Sequence, residues 1–357
     1  MEIKNRFWLL MALVVLAMTP MTASAQELRE AFRKVNQSVV TVRTKRIDVA
    51  PLPGQVMSIV DGLGSGVLIS NDGKVLTAAH VVQTADAALV EFSDGQNSIA
   101  RVIASDVRSD VALLQLQQPP KGIIPATLGD SDKVEVGDQI FVIGAPYGIA
   151  QTLSVGHLSG RRRLDTNSGN QSSIEFLQTD AAVNGGNSGS PMFDMNGQVV
   201  GIVSTIMSQS GGSEGLAFAA ATNTAKRFLL DRKPFWSGID GVLVTGELAR
   251  ALNLPQPAGF LVQRIGEGSM GSRLGMNGGT LRVNVQGSDL LLGGDVILSV
   301  NDIDVTAPTT AERPDGVGAG DNYERILNSL VSLKTGDTVI LRVLRAGKIV
   351  KLTTTVE

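Results

Sequence analysis

The chain has 357 residues and a formal net charge of −3, from 31 Lys and Arg and 34 Asp and Glu, with no cysteine and only two histidines. Because a single hydrophobic core usually stops growing at ~250–300 residues, two domains are the starting expectation. The absence of cysteine excludes disulfides, iron–sulfur clusters, thiolate zinc sites and a cysteine nucleophile, and the mildly acidic balance argues against nucleic acid as a partner.

Residues 1–25 have the three parts of a secretory signal peptide. Lys4 and Arg6 give a basic start, residues 7–18 form an uncharged apolar run, and residues 23–25 are the small-residue pattern Ala-Ser-Ala. The segment predicts cleavage after residue 25 and export to the periplasm or the medium. An uncleaved membrane anchor is the alternative, although the apolar run is shorter than the ~20 residues that a membrane-spanning helix needs.

Residues 26–235 have the pattern of a mainly β domain, in which turn signals such as Asn71-Asp72-Gly73 separate short apolar or alternating runs. The runs that predict strands form two sets of six: 38–45, 66–69, 74–77, 87–92, 100–104 and 111–116, then 139–143, 152–160, 174–179, 191–193, 199–204 and 216–220. Two such sets predict either two β-barrels, at about 30–118 and 122–222, or one large sandwich. A short helix is expected at 223–232.

Residues 238–357 form a third region with its own strand and helix signals. Its predicted elements are strands at 259–265, 296–300 and 338–344 and a helix at 323–333. Residues 277–289 and 306–321 are rich in Gly, Asp, Thr and Pro, so they are predicted to be long loops. The region is therefore expected to be a compact α+β module.

Three separated motifs carry the candidate catalytic chemistry. His80 ends a predicted strand in LTAAHVV, Asp110 begins another in SDVALL, and Ser188 lies in the glycine-flanked turn GNSGSP. The order His, Asp, Ser is that of chymotrypsin-type proteases, and glycines beside the serine allow backbone N–H groups to converge on an oxyanion. Taken singly, each residue also has an ordinary explanation: a buried hydrogen-bonded histidine, a strand cap and a turn serine.

In these motifs the chain resembles the HtrA, or Deg, family of trypsin-like serine proteases. The matching stretches are 64–70 (GSGVLIS), 76–82, 109–114 and 177–189, and the resemblance extends over about residues 28–357. It implies a mainly β fold with two six-stranded barrels of trypsin-like type, followed by an α+β PDZ domain.

The resemblance also implies roles for individual residues. His80 would be the general base, Asp110 its orienting carboxylate and Ser188 the nucleophile. The segment Gly186-Asn187-Ser188 would form the oxyanion hole.

Two positions near the nucleophile depart from the family pattern. Ser190 stands where family members usually have a second glycine, and Gly185 stands where a bulkier residue is common. Because Gly185 precedes Gly186, the oxyanion segment is expected to be more flexible in the free state.

The strand that follows the nucleophile bears on substrate preference. Residues 201–206 (GIVSTI) are expected to pair with the substrate backbone, with Ile202, Ser204 and Ile206 lining the pocket. This strand has no acidic residue, so small aliphatic substrate side chains such as Val or Ala are expected rather than Lys or Arg. The alternative is that Ile202 and Ile206 are only core residues.

The second histidine and an arginine triplet lie between these motifs. His157 is in a predicted strand (SVGHLS) with no carboxylate or serine motif nearby, so a structural or surface role is predicted. Arg161-Arg162-Arg163 follows, and its ordinary interpretation is a solvated loop. In the family, a loop at this point senses the peptide-binding module, and Arg163 aligns best with the arginine that carries the signal.

The C-terminal region resembles a single PDZ domain. The matching stretches are PAGFLV (257–262), GSM (268–270) and GDVILSVN (294–301). The resemblance implies binding of peptide C-termini, with N–H groups of Gly259, Phe260 and Leu261 on the terminal carboxylate and the strand edge pairing with the peptide. A packing module without a ligand is the alternative.

The leading functional hypothesis is a periplasmic or secreted serine endopeptidase that cleaves misfolded or regulatory proteins and is regulated by its PDZ domain. Unfolded or C-terminal peptide segments are the expected partners, and the resemblance adds a homotrimer. No Walker motif is present, so ATP is not expected, and neither a cofactor nor a metal is predicted. The alternative is a peptide-binding holdase or scaffold with little protease activity.

Overall fold

The computed structural model describes residues 20–48, 58–164, 174–285, 287–306, 322–334 and 336–356. Most of the predicted signal peptide and of the predicted loop 306–321 lies outside these residues. The helices are α1 Pro20–Val35, α2 Ala79–Val82, α3 Thr222–Ala225, α4 Gly246–Ala251, α5 Met270–Arg273 and α6 Tyr323–Val331. Within the described part of the chain, no helix is long and apolar enough to span a membrane.

The first barrel contains six strands: β1 Val39–Asp48, β2 Ser58–Leu68, β3 Lys74–Thr77, β4 Ala87–Phe92, β5 Asn97–Asp106 and β6 Val111–Leu116. They close into a ring in the order β1-β2-β3-β6-β5-β4, with antiparallel neighbours throughout. Buried and exposed residues alternate along β5, and Val40, Val42 and Val90 belong to the core of this barrel. Closure leaves the barrel without a free strand edge.

The second barrel is built in the same way. Its strands are β8 Gln139–Gly144, β9 Thr152–Leu164, β10 Ile174–Thr179, β11 Pro191–Asp194, β12 Gln198–Ile206 and β13 Ala217–Ala221, and the short strand Thr127–Leu128, β7, pairs with β12 in parallel. The ring order is β11-β8-β9-β10-β13-β12, closed by pairing of β11 with β12. The prediction of two six-stranded barrels is confirmed, and the single sandwich is excluded.

One apolar cluster fixes the two barrels against each other. Val67 and Leu76 from the first barrel and Phe141, Phe193 and Ile202 from the second belong to the same buried core. The rings of Phe141 and Phe193 are stacked with their centroids 5.1 Å apart. A site that takes residues from both barrels is therefore held by a shared, close-packed interior.

Helix α1, which no sequence pattern predicted, packs on this shared core. The helix begins at Pro20, within the segment assigned to the signal peptide. Leu28, Ala31, Phe32 and Val35 contact the shared cluster, at the i, i+3, i+4, i+7 spacing of an amphipathic helix. The helix predicted at 223–232 is present as α3, which continues as a π-helical turn over Lys226–Leu230.

The C-terminal region is a separate sheet with helices, as predicted. Its strands are β14 Ile239–Thr245, β15 Ala258–Ile265, β16 Leu281–Val285, β17 Ser288–Leu292, β18 Val296–Val300, β19 Ile303–Asp304, β20 Thr338–Arg345 and β21 Lys348–Thr355. The main sheet has the order β14-β15-β18-β20-β21, with β19 on β18, and β16 and β17 form a hairpin. Helix α6 contributes Ile326 and Leu330 to the cluster that contains Val262, Ile297 and Leu341.

The prediction of a loop at 277–289 was wrong. Residues of this stretch form β16 and the start of β17, which are paired from Leu281↔Leu292 to Val285↔Ser288. The alternation of Leu281, Val283 and Val285 is a strand signal that the surrounding glycines and polar residues masked.

Phe193→Ala tests how much the stacked pair, whose two rings both belong to the second barrel, contributes to the shared core. Both rings are fully buried, so loss of one should lower the free energy of unfolding by about 3–5 kcal/mol. Urea unfolding followed by the fluorescence of Trp236, which packs against the first barrel's core, measures the loss. Ile124→Ala, at a residue that is 78% exposed, is the control and should cost less than about 0.5 kcal/mol. Equal losses for both variants would contradict the assignment.

Candidate active site

His80 and Asp110 form a hydrogen-bonded pair in the first barrel. Helix α2 follows β3 closely and carries His80, while Asp110 immediately precedes β6, the neighbour of β3 in the ring. His80 Nδ1 lies 2.8 Å from Asp110 Oδ2 and 3.0 Å from Oδ1, and the backbone N–H of His80 donates to Oδ1 at 2.9 Å. The carboxylate can only accept, so the neutral ring donates through Nδ1 and keeps Nε2 as the acceptor.

A hydroxyl from the second barrel holds the same carboxylate. Ser204 Oγ, on β12, donates to Asp110 Oδ2 at 2.6 Å. The sequence analysis placed Ser204 in the pocket strand, and it missed this contact because the two residues are 94 positions apart. The Asp110 side chain is 16% exposed and that of His80 is 52% exposed, so the carboxylate is shielded while the imidazole is accessible.

Asp110 controls the proton affinity of His80. Burial of the ring disfavours the imidazolium, but the hydrogen bond and the negative charge of Asp110 outweigh it, so the pKa of His80 is raised above its usual value of 6.5. A histidine in this environment accepts a proton more readily than a free one, which suits a general base.

Ser188 lies in a loop that comprises residues 184–188. Every backbone carbonyl oxygen of this loop accepts a hydrogen bond. The bonds are Asn187 N–H to Asn184 O at 3.0 Å, Tyr147 N–H to Gly185 O at 2.8 Å, Ser65 Oγ to Gly186 O at 2.8 Å, Ser190 N–H to Asn187 O at 2.8 Å and Ser65 N–H to Ser188 O at 2.8 Å. Since each peptide group is planar, a bonded carbonyl also sets the direction of the next N–H.

Two N–H groups in the segment from residue 186 to residue 190 have no acceptor among the described residues. Between residues 186 and 190 the other N–H groups donate to backbone carbonyls, whereas those of Gly186 and Ser188 donate to none of the described residues. In a trans peptide the N–H points away from the preceding carbonyl, so the Gly186 N–H points away from Tyr147, which binds the Gly185 carbonyl. Two such groups beside a serine hydroxyl are the arrangement that binds an oxyanion.

The backbone requires the glycines on both sides of Ser188. Gly186 has φ +97° and Gly189 has φ +87°, and a Cβ on Gly189 would lie 2.2 Å from the Ser65 carbonyl oxygen. Ser190, which departs from the family pattern, is fully buried. Because the carbonyls of residues 185 and 186 are both bonded, the structure counts against the flexibility that the sequence predicted for this segment.

The nucleophile loop meets the histidine helix at Gly64. A Cβ at this position would lie 2.9 Å from the Ser188 carbonyl oxygen and 2.9 Å from both methyl carbons of Val81, the residue after His80. Among the described residues, Ser188 Oγ forms no hydrogen bond with His80. Such bonds are often long in a free enzyme and tighten when substrate binds.

Strand β12 joins the loop to the carboxylate. The N–H of Gly189 donates to the Val203 carbonyl at 2.7 Å, and the next residue, Ser204, binds Asp110. The three predicted triad residues therefore lie on segments connected by direct hydrogen bonds.

The two isoleucines assigned to the pocket differ in position. Ile202 is fully buried in the shared core, which agrees with the alternative that it is only a core residue. Ile206 is partly buried against the core of the second barrel, beside exposed Thr205.

An ordered loop follows this strand and contacts the nucleophile loop. The Glu214 carboxylate accepts hydrogen bonds from the hydroxyl and N–H of Ser210, the N–H of Gln209 and the hydroxyl of Ser208, which lower the pKa of Glu214 to about 2. The adjacent Ser213 N–H donates to Asn184 Oδ1 at 2.9 Å. No local sequence pattern predicts the contact with the nucleophile loop, because Ser213 and Asn184 are 29 positions apart.

The statement that His157 has no carboxylate nearby was wrong. Its N–H donates to Asp180 Oδ1 at 2.6 Å, and its Nδ1 lies 3.9 Å from Asp180 Oδ2. The two residues are 23 positions apart and meet because β9 and β10 are neighbours. Both side chains are about half exposed, so a surface role remains the prediction.

Arg163 lies in strand β9, so the prediction of a loop at this point was wrong, and its side chain contacts an acidic residue. Its Nε lies 3.0 Å from Glu175 Oε1, and Arg161 binds both oxygens of the same carboxylate at 3.0 and 2.6 Å. Burial favours the neutral acid, but the two arginines outweigh it and lower the pKa of Glu175. A regulatory role for Arg163 stays a prediction.

The strand pairing counts against the carboxylate-binding role predicted for Gly259, Phe260 and Leu261. These residues lie in β15, which pairs with β14 on one edge and with β18 on the other. A strand paired on both edges offers no row of free N–H groups to a peptide. Among the described residues the main sheet ends at β14 and β21, so these are the edges to which a peptide could add a strand.

Comparisons with known proteins agree with this geometry. The family profile described as a trypsin-like peptidase domain matches residues 64–202. The chain is 37% identical over 250 residues to the probable periplasmic serine endoprotease DegP-like of Ectopseudomonas mendocina (strain ymp), which covers 68% of this chain and 52% of that protein. It is 38% identical over 240 residues to the protein of the same name from Pseudomonas putida (strain W619), covering 66% and 49%. The chain thus spans about half the length of the curated relatives it matches.

The solved structures that resemble this one cover more of the chain. A serine-to-alanine variant of the HtrA-type protease AlgW with a decapeptide is 28% identical with a TM-score of 0.52, over 92% of this chain and 96% of that one. The same variant with a tripeptide is 29% identical with a TM-score of 0.50, over 92% and 96%.

Asp110→Asn tests the source of the raised His80 pKa. Without the carboxylate charge, burial dominates, so the His80 pKa should fall from above 6.5 to below it. Proton NMR titration of the imidazole signals measures the change, and with two histidines in the chain one variant at His157 assigns them. Asp180→Asn, beside the other histidine, should leave the His80 titration unchanged. A His80 pKa below 6.5 in the unsubstituted protein would contradict the expectation.

Proposed function

The chain belongs to the HtrA/Deg family of trypsin-like serine proteases, and we propose on this premise that it is a serine endopeptidase that cleaves polypeptides through an acyl-enzyme. The observation that carries the proposal is the pair of unbonded N–H groups at Gly186 and Ser188, on a loop linked to the His80–Asp110 pair. Neither feature is needed for a module that only binds peptides.

Acylation uses Ser188, His80, Asp110 and the two N–H groups as follows. Ser188 Oγ attacks the carbonyl carbon of the scissile peptide bond while His80 Nε2 takes the hydroxyl proton, and the carbonyl π pair moves to the oxygen. Asp110 stays ionised and stabilises the imidazolium through Nδ1–H. The oxyanion accepts hydrogen bonds from the N–H groups of Gly186 and Ser188.

Collapse of the tetrahedral intermediate completes acylation, the first half of the reaction. The imidazolium of His80 gives its proton to the amine nitrogen, the C–N bond breaks, and the acyl group remains on Ser188. Water then attacks the ester while His80 takes its proton, and the same two N–H groups bind the second oxyanion. The proton finally returns to Ser188 as the acid leaves.

Ser188→Ala tests the assignment. The wild-type protein should degrade casein and react with a fluorophosphonate at Ser188, and the variant should lose ~10⁴-fold or more in kcat and all labelling, because no other group supplies the nucleophile. Gel electrophoresis and mass spectrometry of the labelled peptide measure both. Ser93→Ala, in an exposed turn of the first barrel, is the control with unchanged activity. Undiminished cleavage by Ser188→Ala would refute the mechanism, and an inert wild type that suppresses aggregation would favour a holdase.

We also propose that the C-terminal module is a PDZ domain that binds peptide C-termini. Support comes from the free edge of β14 and from helix α6, which contributes Ile326 and Leu330 to the cluster against which Ile239 packs. A peptide added to β14 would pair with its backbone and place apolar side chains against this cluster. The peptides bound in the AlgW structures are consistent with peptide recognition by a relative.

Gln83 connects this module to the helix that carries His80. Gln83 is 93% buried, and its side-chain Nε2 donates to the Ser237 hydroxyl at 3.2 Å and to the Ile239 carbonyl at 3.3 Å. Its Oε1 accepts from Ser105 Oγ at 2.7 Å. Ile239 is the first residue of β14, and Gln83 follows α2 directly. Peptide binding along β14 is therefore proposed to act on the position of His80.

Gln83→Glu tests this connection at constant side-chain size. The carboxylate still accepts from Ser105 and can accept from the Ser237 hydroxyl, but it cannot donate to Ile239, so the change in cleavage rate that a peptide causes should shrink. A chromogenic substrate is cleaved with and without a decapeptide that ends in three apolar residues and a free carboxylate, with the amidated decapeptide as the inactive ligand. Gln96→Ala, on the far turn of the first barrel, should keep the full response. A full response in Gln83→Glu would exclude the connection.

The cellular setting follows from the relatives and the N-terminus. The relatives are named periplasmic, and residues 1–25 predict export, so the proposed location is the periplasm. Misfolded or regulatory proteins are the proposed substrates, and the homotrimer stays a prediction from the family resemblance.

A further inference from the structure

One motif residue has no role in the mechanism above, although it contacts the nucleophile loop twice. Ser65 lies on β2 in the GSG stretch and is fully buried. A buried hydroxyl in a barrel strand costs free energy unless it is hydrogen-bonded, so its partners indicate what it does.

All polar atoms of Ser65 are hydrogen-bonded to segments around the site. Its Oγ donates to the Gly186 carbonyl at 2.8 Å and accepts from the Ala145 N–H at 2.9 Å. Its N–H donates to the Ser188 carbonyl at 2.8 Å, and its own carbonyl accepts from Thr77 Oγ1 at 2.7 Å. One residue of the first barrel thus holds two carbonyls of a loop in the second.

These contacts lie on both sides of the Ser188 N–H. The Gly186 carbonyl fixes the peptide plane between residues 186 and 187, and the Ser188 carbonyl fixes the plane between residues 188 and 189. The peptide that carries the Ser188 N–H lies between these two planes, so its rotation is limited from both ends.

The Ser65 hydroxyl also acts, indirectly, on the other proposed oxyanion donor, the Gly186 N–H. Ala145, which donates to Ser65 Oγ, is two residues before Tyr147, whose N–H binds the Gly185 carbonyl and so directs the Gly186 N–H. Loss of this oxygen would release the Gly186 carbonyl and the Ala145 N–H together.

We propose that Ser65 is a positioning residue that aims the N–H groups of Gly186 and Ser188 at the oxyanion. The inference rests on the proposed endopeptidase function. A purely structural serine would affect stability alone, whereas a positioning residue affects the transition state more than substrate binding.

Ser65→Ala is compared with Ser38→Ala, a matched control. Ser38 is also buried, with 1% exposure, and its Oγ also donates to a backbone carbonyl, that of Val35, at 2.6 Å. Both variants lose one hydroxyl from the interior, but only Ser65 contacts the nucleophile loop. Since removal of a whole oxyanion donor costs ~10²–10³-fold, misaiming two of them should lower kcat about 10- to 100-fold in Ser65→Ala, with KM changed less than about 2-fold.

Inhibition of the enzyme provides a second measurement, which a change in protein stability alone would not alter. A peptide aldehyde forms a tetrahedral adduct whose oxyanion needs both N–H groups, while the product peptide does not. Ser65→Ala should weaken inhibition by the peptide aldehyde by the same factor by which it lowers kcat, and it should leave inhibition by the product peptide unchanged. Ser38→Ala should change neither kind of inhibition. Ser65→Cys, with a weaker donor, should lie between wild type and Ser65→Ala in both, and it carries the test if Ser65→Ala does not fold.

Two outcomes separate this inference from the proposed function. If the wild type cleaves casein but Ser65→Ala and Ser65→Cys match Ser38→Ala in kcat and aldehyde inhibition, the positioning role is wrong while the endopeptidase stands. If the wild type neither cleaves casein nor reacts with a fluorophosphonate, the endopeptidase itself is wrong.

Discussion

The shape of the site depends on the hydrogen bonds to the carbonyl oxygens of residues 184–188. Buried backbone groups must be paired, so the loop can adopt only conformations in which each carbonyl finds a donor. The donors come from the loop itself, from Tyr147 and from Ser65 on the other barrel. Within residues 186–190, the N–H groups of Gly186 and Ser188 are the two that donate to no described residue, and the proposed mechanism uses them to bind the charge that develops during acyl transfer.

This constraint explains why the site needs both barrels. The first supplies His80, Asp110 and Ser65, and the second supplies Ser188 and Ser204. Hydrogen bonds cross the boundary in both directions, from Ser204 to Asp110 and from Ser65 to the nucleophile loop. These hydrogen bonds would be lost if one barrel shifted slightly against the other. The shared apolar core therefore keeps their donors and acceptors within hydrogen-bonding distance.

The sequence was sufficient where the determining interaction is local. Strands such as 74–77, 87–92 and 111–116 were predicted with the limits that the structure has, because alternation and turn residues set them. The candidate triad was found because each member sits in a short motif.

Prediction from the sequence failed for contacts between residues that are far apart in the chain. No local pattern links Ser204 to Asp110 or His157 to Asp180, since those contacts arise from strand pairing. The pairing of Phe260 and Leu261 on both sides has the same cause, because a strand's residues do not reveal whether both its edges are covered. Helix α1 was hidden for another reason: its first turn overlaps a segment whose composition indicates a signal peptide.

The two halves of the proposed machinery are held by different parts of the chain. The base lies on a helix whose end, at Gln83, contacts the C-terminal module, whereas the oxyanion donors are held by Ser65 and Tyr147, within the barrels. On the proposed function, a peptide on β14 would act first on the base, through Ile239 and Gln83, and would affect the oxyanion donors through the barrel interior. Because proton transfer and oxyanion binding contribute separately to the barrier, a shift of His80 alone is enough to change the rate while the oxyanion hole stays formed.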